Sequence, residues 1–117
     1  RAPNYDAAGV EAACAVLRAA GLREQVMIDL SHGNSAKQHQ RQAVVAADVA
    51  AQVAQGDRRI IGVMIESHLE EGRQDLVPGR PPRRGVSITD ACLGFAQTVP
   101  VLQQLAAAVR ARRDAGG

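Results

Sequence analysis

A chain of 117 residues, 46% apolar and 22% charged, is sized for one globular domain and is too hydrophobic to read as disordered. The formal charge of +2 is almost wholly arginine, Lys37 being the one lysine among fourteen basic residues. Apart from Arg83-Arg84 and Arg110, Arg112 and Arg113 the arginines are scattered, and such runs read as solvated faces or as charges complementing a helix C-terminus, so nucleic acid is not an expected partner.

The first predicted element is a helix from about Asp6 to Ala20. Asp6 is placed to accept the free N–H groups of the first turn, Val10, Cys14 and Leu17 recur at helical spacing, and Gly21 closes it. Gln25 to Ser31 is a short apolar run that predicts a strand opening into the polar loop Ser31-His32-Gly33-Asn34-Ser35. A second helix is expected over about Gln40 to Gln55, with Val45, Val49 and Val53 four apart and a stop at Gly56. Ile60 to Ile65 is nearly continuous and β-branched, the pattern of a parallel strand buried on both faces, and it ends at Glu66-Ser67-His68.

From Leu69 to Val86 the composition turns to Gly, Pro and Arg, which predicts a long irregular loop of the kind found at active sites. One short helical turn is expected within Ile88 to Phe95. Thr98 then reads as the N-cap of a final amphipathic helix through Val101, Leu102, Leu105 and Val109, and the tail from Asp114 to Gly117 is expected to fray.

Helix, strand, helix, strand, long loop, helix is the rhythm of parallel α/β architecture. Two strands do not complete a doubly covered sheet, so the chain is expected to be the C-terminal part of a larger barrel or doubly wound domain; the missing initiator Met also predicts truncation. With Tyr5 and Phe95 the only aromatics, the core has to be built from small aliphatic residues and should be thin. Cys14 and Cys92 lack the spacing of a redox pair or a zinc knuckle, and no apolar run approaches the ~20 residues of a membrane span, which together predict a cytoplasmic protein without membrane contact.

Three metal-ligand residue types stand at the ends of apolar runs: His32, Glu66 and Asp90. A nitrogen and two oxygen donors on separate elements point to a catalytic divalent-metal site. Taken singly each has a plainer reading, His32 as a hydrogen-bonding loop residue, Glu66 as an ion-pair partner and Asp90 as a local helix cap.

The segments Arg1 to Asp6, Met27 to Ser35, Ile61 to Leu69 and Ser87 to Cys92, in this order and with 34 and 24 residues separating the three ligand positions, resemble the C-terminal portion of the class I 3-deoxy-7-phosphoheptulonate synthases. The resemblance spans the chain. It implies a segment, residues 1–117, of a single TIM (β/α)8 barrel synthase domain that condenses phosphoenolpyruvate with erythrose 4-phosphate, releasing phosphate, at the first step of the shikimate pathway toward chorismate and the aromatic amino acids. It also implies a divalent metal of the Mn, Fe, Co or Zn type held by His32, Glu66 and Asp90 as the catalytic and metal-binding residues. The family's fourth ligand is an upstream cysteine that neither Cys14 nor Cys92 matches, and most of its substrate-binding cations also lie upstream. The full-length protein is expected to be a homo-oligomer, and this piece alone to be inactive.

Lys37 and Arg41, after the His32 loop, are the candidate phosphate contacts, with surface solvation as the alternative for each. His68 is either a hydrogen-bond donor orienting Glu66 or a plain loop histidine. Gly33, Ala36, Phe95 and Pro82-Arg83-Arg84 depart from the family's usual sequence without touching a ligand position. Two rival functions stay in view: a related synthase that takes arabinose 5-phosphate, and a non-catalytic α/β interaction module.

Overall fold

The computed structural model describes residues 2–116; Arg1 and Gly117, the outer ends of the N-terminal segment and of the tail, lie outside the described residues. Helix α1 spans Ala7–Ala19 and is capped as its sequence requires. The Asp6 carboxylate accepts from Gly9 N–H at 2.8 Å, and Gly21 takes a left-handed φ of 70° so that Gly21 and Leu22 N–H groups reach the last-turn carbonyls of Arg18 and Leu17. Strand β1, Val26–Asp29, pairs in parallel with β2, Ile60–Met64, in the register Met27 to Gly62, Ile28 to Val63 and Asp29 to Met64. Helix α2, Gln42–Ala54, is the crossover between them, entered through two short 3-10 turns at His32–Ser35 and His39–Arg41.

The core is one cluster. Val45, Ala46, Val49, Ala50 and Val53 of α2 meet Ile28, Leu30 and Ile60 from the sheet, Val101 and Ala108 from the last helix, α3 (Phe95–Gly116), and Val10 and Cys14 from α1. Small aliphatic side chains do supply it, in line with the near absence of aromatics.

Four expectations need correction. The strand over Ile60 is not covered on both faces: Ile61 and Met27 remain 60% and 64% exposed, because two strands and three helices offer too little apolar surface to cover a sheet twice. No helical turn forms within Ile88 to Phe95. Ile88 to Asp90 bend instead, and the stretch is tied on either side by isolated bridges, Arg73 with Ser87, Gly72 with Cys92 and Ser67 with Leu93, which also give the long loop backbone hydrogen bonds. Finally, Thr98 is not an N-cap. Helix α3 runs Phe95–Gly116 and starts a turn earlier, where Gln97 Oε1 accepts from Gly94 N–H at 2.8 Å, and the Thr98 hydroxyl donates back to the Gly94 carbonyl at 2.9 Å. The helix also carries Pro100 inside it and continues through Asp114 to Gly116 where fraying was expected.

Candidate metal centre

The β1 strand delivers His32 through a tightly bonded turn. Leu30 N–H donates to the Met64 carbonyl at 2.9 Å, extending the parallel ladder one step past β1 and burying Leu30 and Ser31. Asp29 then folds its carboxylate forward: Oδ1 accepts from Ser31 N–H at 2.8 Å and from the Ser31 hydroxyl, and Oδ2 accepts from His32 Nδ1 at 2.8 Å. Asn34 ties the turn down, donating from Nδ2 to the Asp29 carbonyl at 2.8 Å while its Oδ1 accepts from Asn4 N–H at 2.7 Å. His32, Ala36 and Lys37 sit at φ 52°, 53° and 60°, a left-handed backbone that non-glycine residues adopt at a cost and that concentrates at functional turns.

With Nδ1–H committed to Asp29, the lone pair of His32 Nε2 is the free one, and it faces two carboxylates. Glu66 Oε2 lies 3.7 Å away and Asp90 Oδ2 3.3 Å away. The hydrogen bond to Asp29, reinforced by the charges of Glu66 and Asp90, raises the His32 pKa above its ordinary value. Burial would push Asp29 upward, but the hydrogen bonds from Ser31 and His32 outweigh it and hold Asp29 below the usual carboxylate range.

Glu66 follows β2, and Asp90 sits in the bend just before Cys92 and Leu93, which bridge to Gly72 and Ser67. Leu93 N–H donates to the Glu66 carbonyl at 3.0 Å, and His68 N–H donates to the Leu93 carbonyl at 2.9 Å. Arg73 reaches across from the long loop and donates from Nε to the Thr89 carbonyl at 2.8 Å, directly before Asp90. Thus three segments far apart in sequence bring one nitrogen and two oxygens within 4.8 Å of one another. Two donors bound at about 2.1 Å to one ion at a tetrahedral angle stand about 3.4 Å apart, so the 3.3 and 3.7 Å separations of the two carboxylates from His32 Nε2 are close to the spacing of donors around a first-row divalent ion. The donor set, imidazole with carboxylates, suits the same ions. Among the described residues no cysteine joins this cluster, and Cys14 and Cys92 are both buried and free.

A cavity of about 230 Å³ opens over the triad, and Ser35, Lys37, His39 and Arg73 share its wall with His32, Glu66 and Asp90. Lys37 therefore lies on the wall of the cavity over the triad. Arg41 does not line this cavity; it is exposed at the entry to α2. His68 also lies apart from the position expected of a residue orienting Glu66: its Nδ1 accepts from Leu69 N–H at 2.8 Å, and its ring borders a separate open groove with Gln74 and Arg83. The residues that do support the triad, Asp29 behind His32 and Gln42 behind Glu66, were not singled out from sequence. Asp29 could have been, as a carboxylate three residues before a candidate ligand histidine.

Comparison with known proteins places the chain in a family. The model of the DAHP synthetase I family matches residues 1–103. Phospho-2-dehydro-3-deoxyheptonate aldolase of Haemophilus influenzae is 51% identical over 98% of this chain, and the Phe-sensitive phospho-2-dehydro-3-deoxyheptonate aldolase of Escherichia coli K12 is 55% identical over 95% of it. Among solved structures, the phospho-2-dehydro-3-deoxyheptonate aldolase of Francisella tularensis superposes with a TM-score of 0.90 at 43% identity, over 95% of this chain. The chain spans about a third of each of these proteins, 32% in all three cases. With the match running through His32, Glu66 and Asp90 and through the fold that gathers them, the chain belongs to the DAHP synthetase I family.

Proposed function

We propose that this chain is the part of a TIM-barrel synthase that carries three of its metal ligands, and that the whole protein condenses phosphoenolpyruvate with erythrose 4-phosphate to give 3-deoxy-D-arabino-heptulosonate 7-phosphate and phosphate. The observation that carries the reading is the convergence of His32 Nε2, Glu66 Oε2 and Asp90 Oδ2 at the C-terminal ends of parallel strands, where barrel enzymes place their chemistry. A divalent ion bound there, of the Mn, Fe, Co or Zn type, supplies Lewis acidity toward the sugar aldehyde oxygen or toward the water that adds to C2 of phosphoenolpyruvate.

The chain's own residues prepare that site. Asp29 fixes the tautomer and orientation of His32, so that in the neutral ring the Nε2 lone pair is the one presented as a donor. Lys37 and Arg73 place positive charge on the cavity wall, where a phosphate or the carboxylate of phosphoenolpyruvate needs neutralising as it leaves water. The turn at His32–Ser35 and Arg73 of the long loop both contribute to the wall of the cavity. The remaining ligand and the other substrate cations are assigned to parts of the protein outside this chain. The synthase is further proposed to be a cytoplasmic homo-oligomer; no helix among the described residues is long and apolar enough to cross a membrane.

The test is consumption of phosphoenolpyruvate by the full-length protein with erythrose 4-phosphate or arabinose 5-phosphate as acceptor, with and without a chelator. Consumption with erythrose 4-phosphate alone, abolished by chelation and by His32→Ala, Glu66→Gln or Asp90→Asn, is the expected result. Equal consumption with arabinose 5-phosphate, or activity that survives chelation, would sink the reading.

A further inference from the structure

Gln42 opens α2 with no exposed surface, an unusual place for a carboxamide, and its side chain lies flat against the peptide of Glu66. Glu66 N–H donates to Gln42 Oε1 at 2.8 Å, and Gln42 Nε2 donates to the Glu66 carbonyl at 3.0 Å. One side chain thus reproduces the pair of bonds that a residue of a neighbouring strand would exchange with Glu66. It does so just past the point where pairing with β1 ends, since β2 stops at Met64 and Leu30 N–H spends the last ladder bond on the Met64 carbonyl. Leu93 N–H adds a second donor to the Glu66 carbonyl, and the Ser67 hydroxyl meets the Thr98 hydroxyl at 2.6 Å, anchoring the next residue to α3. The Glu66 backbone is therefore held from two sides, while its carboxylate is left to face His32 Nε2.

We propose that Gln42 is a positioning residue for the metal centre: by clamping the Glu66 peptide from a buried helix terminus it sets where Glu66 Oε2 stands relative to His32 Nε2 and Asp90 Oδ2, and so sets divalent-metal affinity. The inference rests on the reading of His32, Glu66 and Asp90 as metal ligands. A carboxamide is suited to the task because it offers a donor and an acceptor on one rigid plane, matched to the N–H and C=O of a single residue. Burial enforces the match, since either group left without its partner would be stranded away from water.

The experiment uses the full-length protein stripped of metal. Co²⁺ affinity is titrated through its visible absorption bands, and thermal melting of the metal-free form is followed in parallel. Gln42→Met keeps the length of the side chain and removes both hydrogen bonds; Gln42→Glu keeps its shape and an acceptor for Glu66 N–H but turns an oxygen toward the Glu66 carbonyl, and it serves if the Met variant does not fold. Co²⁺ binding about 10–100-fold weaker with shifted bands, in a variant whose metal-free form still melts cooperatively, is the expected result. A residue with a merely structural role would lower the melting temperature and leave the Co²⁺ bands in place.

His32→Ala separates this inference from the one beneath it. If His32→Ala loses Co²⁺ while a folded Gln42 variant binds it like the wild type, the positioning role is overturned and the metal centre stands. If His32→Ala binds Co²⁺ normally, the metal reading itself fails and takes this inference with it. Failure of both Gln42 variants to fold would make Gln42 a core residue alone and overturn the proposal as well.

Discussion

Asp29 Oδ2 accepts from His32 Nδ1 at 2.8 Å across a single turn of chain, with the Ser31 hydroxyl 2.9 Å from the same nitrogen, and Nε2 is left to face Glu66 and Asp90. Replacing the carboxylate by an amide of the same shape tests it. In Asp29→Asn the amide N–H₂ can turn toward Nδ1, favouring the tautomer that carries its proton on Nε2, where the lone pair is needed. Divalent-metal affinity of the full-length protein should fall about 10–100-fold by Co²⁺ titration, with little change in its melting temperature. Unchanged affinity would show that the tautomer is set elsewhere.

Leu30 is fully buried and stands between the last ladder bond and the Ser31-His32 turn. Leu30→Ala should destabilise by about 2–5 kcal/mol through lost burial and the cavity left behind. It should also raise the metal concentration needed for half-saturation, because the turn above it loses its floor. Thermal denaturation and metal titration on the same preparation check both effects, and a loss below about 1 kcal/mol would mean the site collapses around the smaller side chain.

Arg59 grips Asp57 with Nε on Oδ1 and Nη2 on Oδ2, both at 3.0 Å, at the start of β2. This pairing holds the Asp57 carboxyl below its ordinary value, against the opposing effect of burial. A folded-state pKa below the unfolded one stabilises the protein above the unfolded value near 3.9 and loses that contribution as pH falls through the lowered folded value. The melting temperature of Asp57→Asn should therefore lie below wild type at pH 7, and the gap should close below about pH 4. A gap that is constant across this range would show that the ion pair contributes nothing specific to charge.

The Asp6 cap of α1 gives a local test. Asp6→Ala removes the acceptor of Gly9 N–H and should cost about 1 kcal/mol. Faster amide hydrogen exchange in the first turn of α1, with the triad's metal affinity unchanged, is the expected signature.

Elements whose ends are marked by their own residues were legible in the sequence. Asp6 and Gly21 bound α1 within a residue, and the apolar runs before His32 and Glu66 locate β1 and β2. The three ligand candidates were legible as well, because donors placed after strands gather on one side of a parallel sheet, and they do lie together. What stayed hidden depends on partners distant along the chain. Gln42 reads as a polar residue on a helix surface until Glu66, 24 positions later, is seen to need both its hydrogen-bonding groups. The bridges of Gly72 with Cys92 and Arg73 with Ser87 have no periodicity to announce them. Thr98 has the chemistry of a cap but spends its hydroxyl on Gly94, and the capping falls to Gln97. His68 alternates with Glu66 along the strand direction, yet the backbone leaves the strand before the alternation can bring it alongside.

His32, Ala36 and Lys37 hold a backbone conformation that the free peptide would seldom visit, and what keeps them there is a chain of contacts leading outward, from Asp29 to Asn34 and from Asn34 to Asn4. A loop of this kind is not portable. Grafted onto another parallel sheet, the sequence from Asp29 to Lys37 would relax toward ordinary dihedral angles and swing the imidazole away, so an engineer wishing to move this centre would have to carry along the N-terminal segment that reaches Asn34, ahead of α1 and with no ligand of its own.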